Sequence, residues 1–272
     1  MSGVSPEASK LFDLIEGVAP SLARPLYPVC SLERSDIPVS QASCVVIVVG
    51  SERFVITAGH TADIRKTLPL GIILSTGVRS LEGRWLRTRG VDGAADRLDL
   101  AVLVPAGDLA SALANEDAVK LEYLATLPSS HELFNAKSGC FLTMGYPISQ
   151  QPGQLIDDSY RAKVWQLVSR GCSANMYPGA AASVEHHLLL EFDKRRVSTR
   201  NGQAVAPDPI GSSGGAVWWL RTNGASTEIR LVAIPTAWRE HASQLLATRI
   251  YVALAAIWKE RQGLRPELDN AD

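Results

Sequence analysis

The stretch that most constrains this chain is a turn of small residues running directly into an apolar segment, Pro209-Ile210-Gly211-Ser212-Ser213-Gly214-Gly215-Ala216-Val217-Trp218-Trp219. Because glycine lacks a Cβ atom, this turn can lie directly against the backbone of another segment. We expect it to leave one serine hydroxyl exposed beside bare N–H groups. Acyl transfer requires such an arrangement, in which a nucleophilic serine lies beside donors that can hold a developing oxyanion. Ser213 is therefore a candidate nucleophile.

Composition limits the classes of partner that this chain can bind. It has 272 residues, of which 46% are apolar, enough for one large core or two modest ones. A net charge of −1 provides no basic field for nucleic acid and no polybasic patch for a membrane. The four cysteines show no Cys-x-x-Cys spacing, so we expect neither a metal site nor a disulfide framework, and no cofactor.

Two negative observations bear on location. The segment Met1 to Pro20 has no basic region followed by an apolar one, as a secretory signal would. No apolar run reaches the length needed to span a bilayer. We therefore predict a cytoplasmic protein.

The N-terminal segment has the pattern of a helix from Ser5 to Val18. Ser5 can cap it, Pro6 suits its first position, and apolar residues from Leu11 to Val18 fall on one face. We expect Pro20 to end this helix. Residues 1–34 are accordingly predicted to form an N-terminal helical extension.

From about residue 40 the chain becomes a series of short apolar segments separated by turns, which is typical of an all-β fold. The first series of predicted strands is Cys44–Val49, Arg53–Thr57, Leu70–Ser75, Gly83–Thr88 and Leu100–Val104. The second series is Cys140–Gly145, Ala162–Ser169, His187–Phe192, Ala216–Leu220 and Glu228–Ile234. The first two strands should form a hairpin, and residues 244–260 should form a last strand followed by a helix.

Two strand series of similar length predict two similar barrels. The expected architecture is therefore two six-stranded antiparallel β-barrels, with the helical extension before them and a C-terminal helix after them. The first barrel would span residues 35–126 and the second 140–272, joined by a crossing over 127–139.

A nucleophilic serine needs a base, and the base needs a carboxylate to orient it. His60 ends the apolar segment Phe54-Val55-Ile56-Thr57-Ala58-Gly59, which would place its imidazole at the rim of a sheet. Asp99 stands at the mouth of the apolar strand that begins at Leu100. A carboxylate there is costly to bury unless it accepts hydrogen bonds, and an imidazole N–H is one suitable donor.

These blocks resemble a known family. Thr57-Ala58-Gly59-His60, Asp99-Leu100-Ala101-Val102-Leu103 and Gly211-Ser212-Ser213-Gly214-Gly215 are similar, in the same order, to the His, Asp and Ser blocks of trypsin-like (chymotrypsin-fold) serine proteases. Met144-Gly145-Tyr146-Pro147 also resembles the start of the second barrel in bacterial members. The resemblance covers residues 35–262 and suggests an intracellular bacterial type.

The resemblance implies a role for each of these residues. Ser213 would attack the scissile carbonyl, His60 would act as its base and then as an acid, and Asp99 would orient His60. The N–H groups of Gly211 and Ser213 would form the oxyanion hole. The expected partner is a protein or peptide substrate, which a serine endopeptidase would cleave through an acyl-enzyme.

The chain departs from the digestive members of that family before the nucleophile. Those proteins carry an Asp there, which pairs with a freed N-terminus, whereas this chain has Ser212 and no Ile-Val-Gly-Gly-like segment before the first barrel. We therefore expect an oxyanion loop that is either preformed or ordered by substrate or by an activating partner.

The resemblance also implies two walls of a substrate pocket. One is Asp208, Pro209 and Ile210; the other is Ile234, Pro235, Thr236 and Ala237, which would also pair with the substrate backbone as an added strand. Asp208 could select a basic residue at the cleavage site through a charge-assisted bond, or could simply face solvent.

Two alternatives remain open from the sequence. Gly211-Ser212-Ser213-Gly214-Gly215 also matches the G-x-S-x-G elbow of α/β-hydrolases. In that case the histidine would be His241, and the acid could only be Glu228 or Glu240. The other alternative is a trypsin-like fold that has lost catalysis and only binds peptides.

Overall fold

The computed structural model describes residues 6–32, 39–88, 97–124, 139–150, 162–199, 202–223 and 226–263. Two large curled sheets, each a half-barrel built almost entirely from antiparallel strands, dominate it. This confirms the predicted all-β architecture.

The first sheet has eight strands where six were expected. They are β1 (Leu26–Ser31), β2 (Val39–Val49), β3 (Glu52–Ala58), β4 (Leu70–Leu74), β5 (Gly77–Ser80), β6 (Gly83–Arg87), β7 (Leu100–Pro105) and β8 (Val119–Lys120). Their order is β5-β4-β1-β2-β3-β7-β6, and β8 pairs in parallel with β2. The predicted hairpin of β2 and β3 is confirmed, with Val45 opposite Ile56.

The second sheet has six strands, as expected. They are β9 (Cys140–Gly145), β10 (Trp165–Ser169), β11 (His187–Glu191), β14 (Ala216–Asn223), β15 (Ser226–Arg239) and β16 (Gln244–Arg249), in the order β10-β9-β14-β15-β16-β11. A separate ribbon pairs β12 (Val197–Thr199) with β13 (Gly202–Ala204).

Four α-helices lie among the described residues. They are α1 (Pro6–Ala23), α2 (Gly59–Ile64), α3 (Gly107–Leu113) and α4 (Ile250–Arg261). The last of them follows β16 directly, which confirms the predicted strand and C-terminal helix. Within the described ranges, no helix combines the length and the apolar character that crossing a bilayer would need.

Two expectations for the N-terminal region are wrong. Helix α1 does not end at Pro20 but continues to Ala23, because its buried face runs on through Ala19 and Leu22. The segment 1–34 is also not wholly helical, since β1 lies between β2 and β4 inside the first sheet. Ser5, the expected cap, lies outside the described residues, as does the expected crossing except for Gly139.

The largest core cluster is shared by both sheets. It contains Ile56 of β3 and Val102 of β7 together with Leu142 of β9 and Leu231 of β15, and α1 adds Ile15 to it. A second cluster, which includes Val29 and Val46, fills the first sheet alone. The two sheets are therefore packed against one another, and the loops at their junction are held from both sides.

Candidate active site

His60 is the second residue of α2, immediately after β3 ends. The residue before it, Gly59, lies directly against Asp99, because the Gly59 N–H donates to the Asp99 carbonyl oxygen at 2.7 Å. A Cβ atom on Gly59 would lie only 2.8 Å from Asp99 Oδ1. Any side chain there would push Asp99 away, so glycine brings the two segments together.

Asp99 binds His60 through two hydrogen bonds, one to its backbone and one to its imidazole. Oδ1 accepts the backbone N–H of His60 at 2.7 Å, and Oδ2 lies 2.6 Å from His60 Nδ1. The Asp99 side chain is 22% exposed and that of His60 is 51% exposed. With Nδ1–H donating to the carboxylate, the lone pair of Nε2 faces outward, as a general base requires.

The second sheet fixes the loop that carries Asp99. Thr248 of β16 donates its hydroxyl to the Leu98 carbonyl, and His187 Nε2 donates to the Arg97 carbonyl at 2.8 Å. The other ring nitrogen of His187 accepts the Ser183 N–H at 3.1 Å. Asp99 itself has a φ of 43°, a left-handed conformation that must be held by such neighbours.

An ion pair anchors the helix that carries His60. Arg87 of β6 binds the Asp63 carboxylate, and Lys66 binds the same group at 3.1 Å. Partial burial acts in the opposite direction, but these hydrogen bonds and charges hold the pKa of Asp63 below its ordinary value. The Arg87 side chain also lies against Gly59, because its Nε is 3.1 Å from the point where a Gly59 Cβ would stand.

The turn that carries Ser213 lies against the first sheet beside the end of β3. The Ser213 carbonyl accepts the Ser43 N–H at 2.9 Å. Gly214 has a φ of +85°, and a Cβ on it would lie 2.1 Å from the Ser43 carbonyl oxygen and 2.3 Å from Thr57 Oγ1. Thr57 is three residues before His60, so this turn and the imidazole occupy the same end of β3. Among the described residues, however, the Ser213 hydroxyl and the His60 ring share no hydrogen bond.

The turn contains two peptides whose carbonyls are hydrogen-bonded and whose N–H groups could act as donors. The Ile210 carbonyl accepts the Ile148 N–H at 2.8 Å, and the Ser212 carbonyl accepts the Gly215 N–H at 3.0 Å. In a trans peptide the following N–H points opposite to the carbonyl. The N–H groups of Gly211 and Ser213 therefore point away from these carbonyls, and neither has a backbone acceptor within the described ranges.

Ser212 is satisfied within its own turn. Its hydroxyl donates to the Pro209 carbonyl at 2.6 Å, and its N–H donates to the same oxygen at 2.8 Å. The side chain is buried, with 3% exposed. A neutral hydroxyl that is already paired needs no ammonium group to compensate it, unlike a carboxylate at this position.

Some of the predicted pocket residues are buried or bonded within the chain, and others are exposed. Asp208 is engaged inside the chain, since Lys194 Nζ lies 3.1 Å from Oδ2 and the Ile210 N–H donates to Oδ1 at 3.1 Å. Pro209 is buried and Ile210 is 60% exposed. The second predicted wall lies in β15, where Ile234, Pro235 and Thr236 are buried and Ala237 is exposed.

The cysteines offer no competing nucleophile. All four are free and buried, and burial raises the pKa of Cys140 and of Cys172 to about 11. The pKa values of Cys30 and Cys44 are raised further by the same desolvation. Nor does any group of three or more His, Cys, Asp or Glu in the described ranges have the geometry to hold a metal ion.

Several supporting residues were not identified from the sequence. Ser43, Arg87, His187 and Thr248 act through contacts between segments far apart in the chain, so no local pattern marks them. The α/β-hydrolase alternative is wrong, because the turn precedes a strand of an antiparallel sheet and not a helix on a parallel one. No protein-family model matches this chain, and no curated protein is significantly similar to it.

Proposed function

We propose that this protein is a trypsin-like serine endopeptidase that uses Ser213, His60 and Asp99. The observation that carries the proposal is the 2.6 Å contact between His60 Nδ1 and Asp99 Oδ2, formed beside a turn with two free N–H groups. This contact orients His60 as a base with its Nε2 facing outward, at the same end of β3 as Ser213. That combination supports acyl transfer better than any other chemistry of these residues.

In the proposed reaction, His60 Nε2 takes the Ser213 hydroxyl proton as Oγ attacks the scissile carbonyl. Asp99 stabilises the imidazolium that forms, and the N–H groups of Gly211 and Ser213 hold the oxyanion. His60 then returns its proton to the leaving amine, which breaks the peptide bond. His60 then takes a proton from a water molecule that attacks the acyl-enzyme, and it returns that proton to Ser213 Oγ as the ester bond breaks.

Because the Ser213 hydroxyl and His60 Nε2, both among the described residues, share no hydrogen bond, we propose that they approach each other when substrate binds. Catalytic hydrogen bonds often tighten only when substrate occupies the site. The oxyanion turn is proposed to be preformed, because its carbonyls are already paired and Ser212 is already satisfied. This favours the preformed alternative over ordering by an activating partner.

The proposed substrate is an extended segment of an intracellular protein. From Pro235 to Arg239, β15 pairs with β16 on one edge, while its ladder with β14 ends at Ala233. The Gly214 N–H donates to the Pro235 carbonyl at 2.8 Å, which joins the start of this open edge to the nucleophile turn. A substrate strand added there would be led directly to Ser213.

Labelling with a fluorophosphonate tests the proposal. The wild-type protein, purified alone, should form a covalent adduct on Ser213, and both the Ser213→Ala and the His60→Ala variants should lose it. A cleavage profile on a peptide library would then define the preferred residues. If folded wild-type protein neither labels nor cleaves but still binds extended peptides, the chain is a peptide-binding module and the enzymatic proposal fails.

A further inference from the structure

Ser43 of β2 is a buried residue whose four hydrogen bonds connect it to three other parts of the site. Its hydroxyl donates to the Gly211 carbonyl at 2.9 Å and accepts the Tyr146 N–H at 2.8 Å. Its own N–H donates to the Ser213 carbonyl at 2.9 Å, and its carbonyl accepts the Thr57 hydroxyl at 2.8 Å. The residue has no exposed surface. One serine of the first sheet therefore contacts the nucleophile turn twice and the second sheet once.

The Ser43 hydroxyl binds the carbonyl of Gly211, a residue in the left-handed region. Gly211 has a φ of +94° and no Cβ atom, so sterics alone do little to prevent its peptide groups from rotating. The peptide before Gly211 is held by the Ile148 N–H, and the peptide after it is held by the Ser43 hydroxyl. The Ile148 contact thus fixes the peptide that carries the Gly211 N–H, and the Ser43 contact fixes the peptide on the other side of the Gly211 Cα.

We propose that Ser43 is a positioning residue of the oxyanion hole, a role that rests on the proposed function. Its hydroxyl holds the peptide that follows Gly211 and so limits rotation at Gly211, whose own N–H is the proposed oxyanion donor. It does so from the opposite sheet, so the donor is aligned only when the two sheets are packed together. Ser43 does not touch substrate; it acts through Gly211.

Ser40 provides a matched control on the same strand. It is also a buried serine, with 4% of its surface exposed, but its hydroxyl has no hydrogen-bond partner. Replacing Ser43 with alanine leaves the Gly211 carbonyl and the Tyr146 N–H unpaired, whereas replacing Ser40 leaves nothing unpaired. The two variants therefore differ in the contact to the turn and not in the loss of a buried hydroxyl.

The test compares Ser43→Ala and Ser40→Ala with the wild type. Fluorophosphonate labelling and turnover of p-nitrophenyl acetate should slow about tenfold or more in Ser43→Ala, below the 10²–10³-fold that losing an oxyanion donor outright costs. The loss should fall on kcat with KM unchanged, because the contact is needed only as charge develops. Ser40→Ala should match the wild type in both assays.

Thermal melting of each variant separates misalignment from unfolding. A folded Ser43→Ala protein that labels at the wild-type rate overturns the inference, and so does an equal loss in Ser40→Ala. If Ser43→Ala does not fold, Ser43→Gly removes the same hydroxyl with no methyl group left behind; should that variant also fail to fold, the role is in folding and the inference is wrong. Failure of the wild type to label contradicts the proposed function itself, which distinguishes the two outcomes.

Discussion

Replacing Gly214 with alanine should displace the nucleophile turn while leaving both sheets in place. The new Cβ would stand 2.1 Å from the Ser43 carbonyl oxygen and 2.3 Å from Thr57 Oγ1, whereas a tolerable contact needs at least 3.0 Å. The Ser43 carbonyl oxygen belongs to the backbone of β2, so it cannot move out of contact as a side chain could. The turn itself must therefore move, by about 1 Å, and a displacement of that size at a reacting group can cost about 10²-fold in rate.

The same substitution should also destabilise the protein. A left-handed φ costs about 1–2 kcal/mol for a residue with a Cβ, and overpacking a buried contact adds about 1–3 kcal/mol. The total of about 2–5 kcal/mol is a large part of the roughly 5–15 kcal/mol by which a typical domain is stable to unfolding. Chemical denaturation followed by tryptophan fluorescence would measure it.

Gly107 is the control for backbone conformation. It has a φ of +53°, but a Cβ there would meet nothing within 4 Å. Gly107→Ala should therefore lose only the stability that a left-handed φ costs, and it should label with fluorophosphonate at the wild-type rate. If Gly214→Ala labels as fast as Gly107→Ala and is no less stable, the turn does not lie against the first sheet as described.

Three further predictions follow from the same geometry. Asp99→Asn should slow labelling by about 10⁴-fold with the fold intact, because an amide can hold His60 in the wrong tautomer. A loss of less than tenfold in the labelling rate of the purified variant would contradict the proposed role of Asp99. Asp63→Asn should lower the free energy of unfolding at neutral pH, since the folded protein holds the pKa of Asp63 below its ordinary 3.8. That contribution exists above the unfolded value and is lost as the pH falls through the folded one, so wild-type and variant stabilities should converge in acid and stay apart at neutral pH. The four buried thiols, including Cys140 with its pKa raised to about 11, should resist iodoacetamide at pH 8 until the protein is unfolded; rapid modification of the native protein, detected by mass spectrometry, would contradict their burial.

The parts of this molecule that the sequence predicts well are those with local patterns. The hairpin of β2 and β3, the strand and helix at the end of the chain, and the contact of His60 with Asp99 all follow from short motifs. Strand β1 was missed because Pro25 and Pro28 resemble helix-ending and loop residues, although all six positions of that strand are buried. A proline is tolerated at Pro28 because its strand is paired on that stretch with β2 alone, while the ladder to β4 begins at Val29.

The supporting contacts of the site could not be predicted in the same way. The hydroxyl of Ser43 and the carbonyl of Gly211 are 168 residues apart in sequence, and His187 is 90 residues from the carbonyl it binds. Such contacts depend on how two sheets pack, which periodicity does not encode. Asp208 illustrates the same limit, because only the fold shows that Lys194 occupies its carboxylate. The carboxylate that the sequence offers to a basic substrate residue also pairs with a lysine of the same chain.

The place of Leu26–Ser31 in the middle of the first sheet has a practical consequence for anyone shortening this protein. Its backbone is bonded to β2 on one edge and to β4 on the other, so a chain that started near residue 35 would lack the strand joining those two. Two edges rich in valine and isoleucine would then face water and invite other molecules to pair with them. Trimming the amino terminus up to residue 35 should therefore yield aggregates, and the shortest version that folds must start before Leu26.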